Sequence, residues 1–387
     1  MSDALHLTPG VLAKDQLETL IKDGSISSNQ FDGPEVGASA VDLRLASRAW
    51  HLKLGQRPTT RELSKIQGQS EEIDPVDGEY FEFKRGNIYL VQLDQHLRLP
   101  ANVSGRATGK SSVGRLDVIT RLITIGTREY DLVTAGYDGP LHLLLMPQTF
   151  TIRVAPGASL NQLRLFSGSH SSSVITRAEL HHYGTPFWWI LKDGREHEYE
   201  NPGGAEQIAP TDDPSLFDLT VDLNDAKSPY IYKARSDVDD PIELKAKGIL
   251  APDQFFEKVP IHRDGPDRSV VLEQGSFYIM KSKERLFIPE DVAVEVVAIS
   301  ERIGDIRIHY AGFAHPGFGR GERAERRGTP LIFEVRATDM ATKLYDRSVL
   351  ARIQLFRMSK ATTPDKSDYE TQELKLSKVF AEWPEVS

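Results

Sequence analysis

Gly109-Lys110-Ser111-Ser112-Val113-Gly114-Arg115-Leu116 is the stretch from which the rest of the chain can be read. It follows an apolar, strand-like run (Ile88, Leu90, Leu93) and a Leu99-Pro100 turn. Short hydroxyls stand between two cations, and the glycines let backbone N–H groups approach a ligand closely. That is the chemistry of a phosphate cradle. The Gly-x4-Gly-Lys-Ser/Thr spacing of a Walker loop is absent. By itself such a run is an ordinary solvated turn, so its meaning rests on what surrounds it.

The chain has 387 residues, enough for two domains with proper cores. Its 47 Lys and Arg against 56 Asp and Glu give a formal charge of −9, which argues against a broad nucleic-acid surface. An anionic ligand would need a local basic pocket. With no cysteine, disulfides, thiolate zinc sites and cysteine nucleophiles are excluded together. No apolar run approaches a membrane span, and Met1-Ser2-Asp3-Ala4 does not begin a signal peptide. The expectation is a cytoplasmic protein with neither nucleic acid nor membrane as partner.

Residues 10–22 carry apolar side chains at helical spacing, with Gly24 as a stop. After that the period shortens. Val41, Leu43 and Leu45 alternate with Asp42 and Arg44, as in a half-buried strand. Further strands are predicted over 87–93, 141–154 and 162–166, with Pro147 marking an edge or a bulge. Many short strands and few helices imply a mainly β, barrel-like architecture. Residues 192–214 read as a polar linker.

Beyond that stretch the pattern returns. Gly86-Asn87-Ile88-Tyr89-Leu90 matches Gly275-Ser276-Phe277-Tyr278-Ile279, and Leu99-Pro100 matches Ile288-Pro289, both displaced by 189 residues. Pro140-Leu141 matches Pro330-Leu331 and Leu165-Phe166 matches Leu355-Phe356, displaced by 190. A nearly constant offset across four landmarks reads as a tandem duplication. It divides the chain into domains at 1–195 and 196–387. A likeness between Gly10-Val11-Leu12-Ala13 and Gly248-Ile249-Leu250-Ala251 has a different offset, 238, and carries no weight.

Three signals now stand in order: Gly37-Ala38-Ser39-Ala40-Val41-Asp42-Leu43-Arg44-Leu45, the Leu-Pro turn, and Lys110-Ser111-Ser112-Val113-Gly114-Arg115. Together they resemble the dCTP deaminase/dUTPase superfamily, with its Gly-Ala-Ser-Val-Asp-Leu-Arg-Leu strand and Arg-Ser-Ser-Leu-x-Arg loop. His315-Pro316-Gly317-Phe318-Gly319 and Pro330-Leu331-Ile332-Phe333-Glu334 resemble the family's Asp-Pro-Gly-Trp hairpin, which ends in the deaminase's catalytic Glu. Tyr369-Glu370-Thr371-Gln372 and Ser377-Lys378 resemble its C-terminal lid over the triphosphate. The likeness is closest to the long, duplicated bacterial dCTP deaminases. It implies two tandem dUTPase-like β-barrel (β-clip) domains with few short helices.

The departures are informative. The first half has Leu144 where the second has Glu334, so it holds no general base there. The second half has Ser300-Glu301-Arg302-Ile303-Gly304 where the first has its phosphate loop. Each half lacks what the other kept, which points to one composite site.

The resemblance assigns the roles. Glu334 would take a proton from water and pass it towards the pyrimidine, with no zinc. Flanked by Phe333 and Val335, it would be partly desolvated, the condition that makes a carboxyl a usable base. Arg115 and Ser111 would hold the water and the base, and Lys110 and Ser112 would face the phosphates. Tyr369, Gln372, Lys375 and Lys378 would close over the substrate, as a tail that is disordered until it binds. Mg²⁺ would arrive with the triphosphate, not at a protein metal site. The substrate implied is dCTP, and the assembly state, including a homo-oligomer, stays open. Two other functions compete. A dUTP pyrophosphatase, alone or combined with deamination, needs an Asp ahead of the hairpin glycine, where this chain has Thr134 and His315. A non-catalytic nucleotide-binding regulator would have no use for Glu334.

Other features have ordinary explanations. Gly317-Phe318-Gly319-Arg320-Gly321 lacks the βαβ unit of a dinucleotide loop. The charges of 320–327 suit a solvated hairpin tip, and His181-His182 do not converge on one side of a helix or strand.

In the single-domain relatives three subunits form a ring and share sites between neighbours. A ring of three cannot be tiled by whole chains of two halves. The expectation is therefore a loop and a Glu that meet within one chain, as in the duplicated herpesvirus dUTPases. Co-expressing Arg115→Ala chains with Glu334→Gln chains and purifying the mixed oligomers tests this. Sites completed within one chain leave the mixture inactive, whereas recovered activity would mean that sites are shared between chains.

Overall fold

The computed structural model describes residues 8–53, 63–68, 70–183, 188–192, 195–198, 213–245, 247–265, 267–299, 306–309, 312–319, 328–338, 340–364 and 372–384. The chain is mainly β and forms two compact units. One comprises Met1–Ser173, Asp239–Ala246 and Phe356–Thr363; the other comprises Val174–Val238, Lys247–Leu355 and Pro364–Ser387. Among the described residues no helix is long and apolar enough to cross a membrane.

In the first unit, Val41–Leu52 alternates as expected: Val41, Leu43 and Leu45 are buried, while Asp42 and Arg44 are half-buried. This strand lies between Ile88–Arg98 and Ser159–Ser167 in a ten-stranded sheet, with Asp138–Pro147 pairing on the far side of Ile88–Arg98. In the second unit, Phe277–Leu286 pairs with Thr329–Ala337 on one side and Tyr230–Ala234 on the other. Its core gathers Tyr278, Met280, Phe333, Val335 and Ala337.

Strand register confirms the duplication. Leu144 stands opposite Leu90, and Glu334 opposite Ile279, so the offsets of 189 and 190 hold within paired strands. The turns agree. Gly86 and Gly275 have φ of 76° and 73°, a left-handed conformation that glycine adopts at no steric cost. Their N–H groups donate to the carbonyls of Pro147 and Ala337, again 190 apart.

The structure also reveals a piece of the repeat that the sequence hid. Gln162 lies opposite Asp42, and Arg352 opposite Asp218. Ser39-Ala40-Val41-Asp42-Leu43 is thus repeated as Ser215-Leu216-Phe217-Asp218-Leu219, at an offset of 176. Additional residues between this strand and Gly275 shift the register, and a search at 189 misses it.

Four sequence expectations need correction. The helix covers Lys14–Lys22, whereas Gly10–Val11 is a short strand. The run 141–154 is two strands, Asp138–Pro147 and Ile152–Val154, because Pro147 ends the first; the irregular register lies earlier, between Pro140 and His142. Within the stretch read as linker, Arg195–Glu198 pairs antiparallel with Trp188–Lys192, while 199–212 lie outside the described residues. Finally, residues 372–384 of the tail are not loose: Gln372, Leu376, Ser377, Val379 and Phe380 are buried.

Glu284 is a buried carboxyl with an instructive counterpart. It accepts hydrogen bonds from the Thr220 N–H (2.8 Å) and hydroxyl (2.6 Å). At the equivalent place, Gln95 accepts one from the Arg44 N–H (2.8 Å). Burial pushes the Glu284 pKa up to about 7, against the pull of Thr220 and Lys283. A raised folded-state pKa favours folding below the unfolded value of 4.5, and that contribution is lost as pH climbs through about 7. Glu284→Gln should therefore flatten the pH dependence of stability between about pH 4.5 and 7 and raise stability at pH 8 by about 2–4 kcal/mol. Urea denaturation from pH 5 to 8 checks this. An unchanged slope would mean that another group sets it.

Candidate functional site

The Lys110–Arg115 loop is built at the end of a strand. Val103–Gly109 runs out at Gly109, and Lys110 stays extended (φ −71°, ψ 140°) as the N-cap of a one-turn helix, Ser111–Gly114. The Lys110 N–H donates to the Leu160 carbonyl (3.0 Å), which fixes the start of the turn. Arg115 caps the other end and is 2% exposed. Its Nε donates to the Ser111 hydroxyl (3.2 Å), so the two residues assigned to water and base are in contact. Ser112 lies half-buried on the same turn.

The Lys110 ammonium pairs with the Asp42 carboxylate. By alternation Asp42 belongs to the polar side of its strand, where sequence alone assigns it no role. Its position beside Lys110 makes it the group that orients the loop cation. In the second unit Asp218 is engaged instead by Arg352 Nε (2.8 Å) across the strand pair.

Glu334 sits mid-strand in Thr329–Ala337 and is 1% exposed. Phe333 and Val335 enter the core, so alternation directs Glu334 to the opposite face with its cross-strand partner Ile279. Its carbonyl accepts the His309 N–H (2.9 Å), which holds the strand from its other side. The equivalent place in the first unit is closed. Leu144 packs there with Trp50, Leu52, Ile66, Leu90 and Ile123.

The hairpins also correspond. The Tyr137 N–H donates to the Thr134 carbonyl and the Phe318 N–H to that of His315, each at 3.1 Å. Thr134 and His315 therefore hold equivalent places in the two hairpins.

Of the tail residues, Gln372 donates through Nε2 to the Pro330 carbonyl (3.2 Å), at the start of the Glu334 strand. Lys375 is exposed, and the Lys378 carbonyl accepts the Gly248 N–H (2.9 Å). Tyr369 lies outside the described residues. The tail residue that reasoning missed is Glu373, paired with Lys281 (3.1 Å) and Arg285 (3.1 Å). Burial raises its pKa, but these two cations outweigh that and hold it below the ordinary carboxyl value. The loop itself offers cations and hydroxyls, Lys110, Ser111, Ser112 and Arg115, a donor set suited to phosphate, with the Asp42 carboxylate on Lys110.

Comparison with known families decides the relationship. Residues 8–169 match the 2'-deoxycytidine 5'-triphosphate deaminase N-terminal domain, and residues 206–380 match the C-terminal domain of the same family. The chain belongs to the two-domain dCTP deaminases. The dUMP-forming dCTP deaminase of Mycobacterium tuberculosis is 29% identical over 177 residues, covering 45% of this chain and 86% of that protein. The protein of the same description from Rhodococcus jostii is 29% identical over 184 residues, with the same coverage. The crystal structure of 2'-deoxycytidine 5'-triphosphate deaminase from Agrobacterium tumefaciens is 28% identical, with a TM-score of 0.77 over 91% of this chain and 99% of that one. A relative that spans less than half of this dCTP deaminase family member is what a duplicated chain requires.

If the Leu144 place is closed, restoring a carboxylate there should not restore a site. Leu144→Glu in a Glu334→Gln background should release no ammonia from dCTP. It should also lose about 3–5 kcal/mol of stability through an uncompensated buried charge. Both are read by an ammonia assay and urea denaturation.

Proposed function

We propose that the protein deaminates dCTP hydrolytically, giving dUTP and ammonia. The observation that supports this best is the asymmetry of the repeat: a buried carboxylate, Glu334, stands where the other half has Leu144. Burying an acid on a strand is costly, and binding alone gives no reason to keep it.

In the proposed step the Glu334 carboxylate takes a proton from water as the water oxygen bonds to C4 of cytosine, and delivers it to N3 as the C4–N3 π pair moves there. Glu334 then takes the proton of the new C4 hydroxyl and passes it to the amine. The C4–N bond breaks with its electron pair going to nitrogen, ammonia leaves, and C4 becomes a carbonyl. Arg115 and Ser111 hold the water and the carboxylate in place. Lys110, oriented by Asp42, and Ser112 bind phosphate oxygens. Tyr369, Gln372, Lys375 and Lys378 cover the triphosphate, which brings its own Mg²⁺.

A second reading, deamination followed by loss of pyrophosphate, is favoured by the dUMP-forming relatives. Thr134 and His315 at the hairpin position weigh against it. Incubation with dCTP and with dUTP, with ammonia and pyrophosphate scored separately, distinguishes the two; ammonia without pyrophosphate is the expected result. Glu334→Gln is nearly isosteric and should lower deamination by about 10²–10⁴ while leaving dCTP binding intact. Turnover like that of the wild type would remove Glu334 from the mechanism.

A further inference from the structure

One face of the second unit carries cations that the first lacks. Antiparallel pairing sets Arg285 opposite Pro330, Lys281 opposite Ile332 and Ile279 opposite Glu334. Arg285, Lys281 and Glu334 therefore lie along one face, with Lys281 one diagonal step from Glu334, about 7–8 Å. In the first unit the same places hold Gln92, opposite His142, and His96, opposite Pro140. Both cations are almost fully buried, with side chains 5% and 9% exposed.

Their partners come from elsewhere in the chain. Lys281 pairs with Asp225 and with Glu373. Arg285 donates through Nε to the Gly328 carbonyl (3.2 Å), and among the described residues its ion-pair partner is Glu373. Glu373 therefore takes both cations at once, using both carboxylate oxygens. Next to it, Gln372 is bonded to Pro330 on the Glu334 strand. Further on, the tail is held by other means. Phe380 packs on Phe255 and Phe256, Trp383 stacks on Tyr232 (5.1 Å), and the Ala381 N–H donates to the Leu250 carbonyl (2.8 Å). Glu373 thus ties down the start of the segment between the Glu334 strand and these anchors.

We infer that Glu373 is a positioning residue: its carboxylate latches the tail onto the cationic face beside Glu334, so that residues 372–377 are in place before substrate arrives. This deepens the proposed function and rests on it for its kinetic consequence. Ordering a loose tail at the moment of binding lowers affinity, whereas a tail already docked removes that cost. Losing the latch should therefore act on capture and leave the chemical step alone.

The test is Glu373→Gln, measured by hydrogen exchange and by steady-state kinetics with dCTP. Exchange in 372–377 should quicken about tenfold, while 379–383 should stay within about twofold. KM should rise about three- to tenfold with kcat within about twofold. Glu373→Asp, which keeps the charge, should recover most of both effects. Unchanged exchange in 372–377 would overturn the latch. Faster exchange with an unchanged KM would overturn its role in substrate capture. Failure of the catalytic reading shows separately, as turnover retained by Glu334→Gln, and leaves the exchange result standing.

Discussion

The register between Phe277–Leu286 and Thr329–Ala337 is the constraint on which the rest depends. Side chains alternate with a period of two, so a slip of one residue would drive Glu334 into the core among Tyr278 and Met280 and turn Phe333 and Val335 out of it. Several contacts exclude that slip. The Gly275 N–H closes on the Ala337 carbonyl, the Ser282 hydroxyl accepts the Leu331 N–H at 2.9 Å, and the His309 N–H reaches the Glu334 carbonyl. A carboxylate that must be dry and correctly aimed is placed by backbone bonds and turn geometry before its own contacts matter.

The same register in the first half carries a different solution. Where Glu334 would lie, Leu144 joins an apolar cluster that burial alone stabilises. The second half instead buries Lys281, Lys283 and Arg285 along one strand, and each needs an acid brought to it. Asp225 and Glu373 meet Lys281, Asp222 and Asp346 meet Lys283, and Glu373 meets Arg285. Such networks add little net stability, because desolvation opposes the attraction, but they tolerate few alternative arrangements. At this one face the two halves therefore differ, apolar around Leu144 in the first and ionic along Lys281–Arg285 in the second.

Much of this was legible in the sequence. The Lys110–Arg115 loop, the Glu334 hairpin and the constant offset were local patterns that read without a structure, and the Leu144–Glu334 exchange followed from the offset. Other features were hidden for physical reasons. The repeat of the Asp42 strand at Asp218 was displaced by intervening residues, so its offset no longer agreed. The run Lys281-Ser282-Lys283-Glu284-Arg285 carries no sequence signal of its burial, because sequence does not show which distant acids will neutralise it. The tail reads as polar and loose because its apolar anchors are few, and the partners of Phe380, Phe255 and Phe256, lie more than a hundred residues away. In each case a long-range pairing, not a local preference, made the difference.

The Asp42 strand shows that the two halves neutralise the same aspartate in different ways. A partly buried aspartate at that position has to be neutralised, and both units do so with a cation. In the first, the cross-strand neighbour is the neutral Gln162, and Lys110 supplies the charge from the loop. In the second, the cross-strand neighbour is Arg352, which pairs with Asp218 directly. The residue displaced by 189 from Lys110 is Ile299, with no charge to offer. Loop cation and cross-strand cation are therefore alternatives. Once an arginine stands opposite the aspartate, the loop lysine has lost its structural reason to stay, and only phosphate binding could retain it. In the first half the two demands coincide on Lys110: Asp42 orients the ammonium and leaves its remaining donors for a ligand. That double dependence would tie the lysine proposed to bind phosphate to the folding of its own barrel.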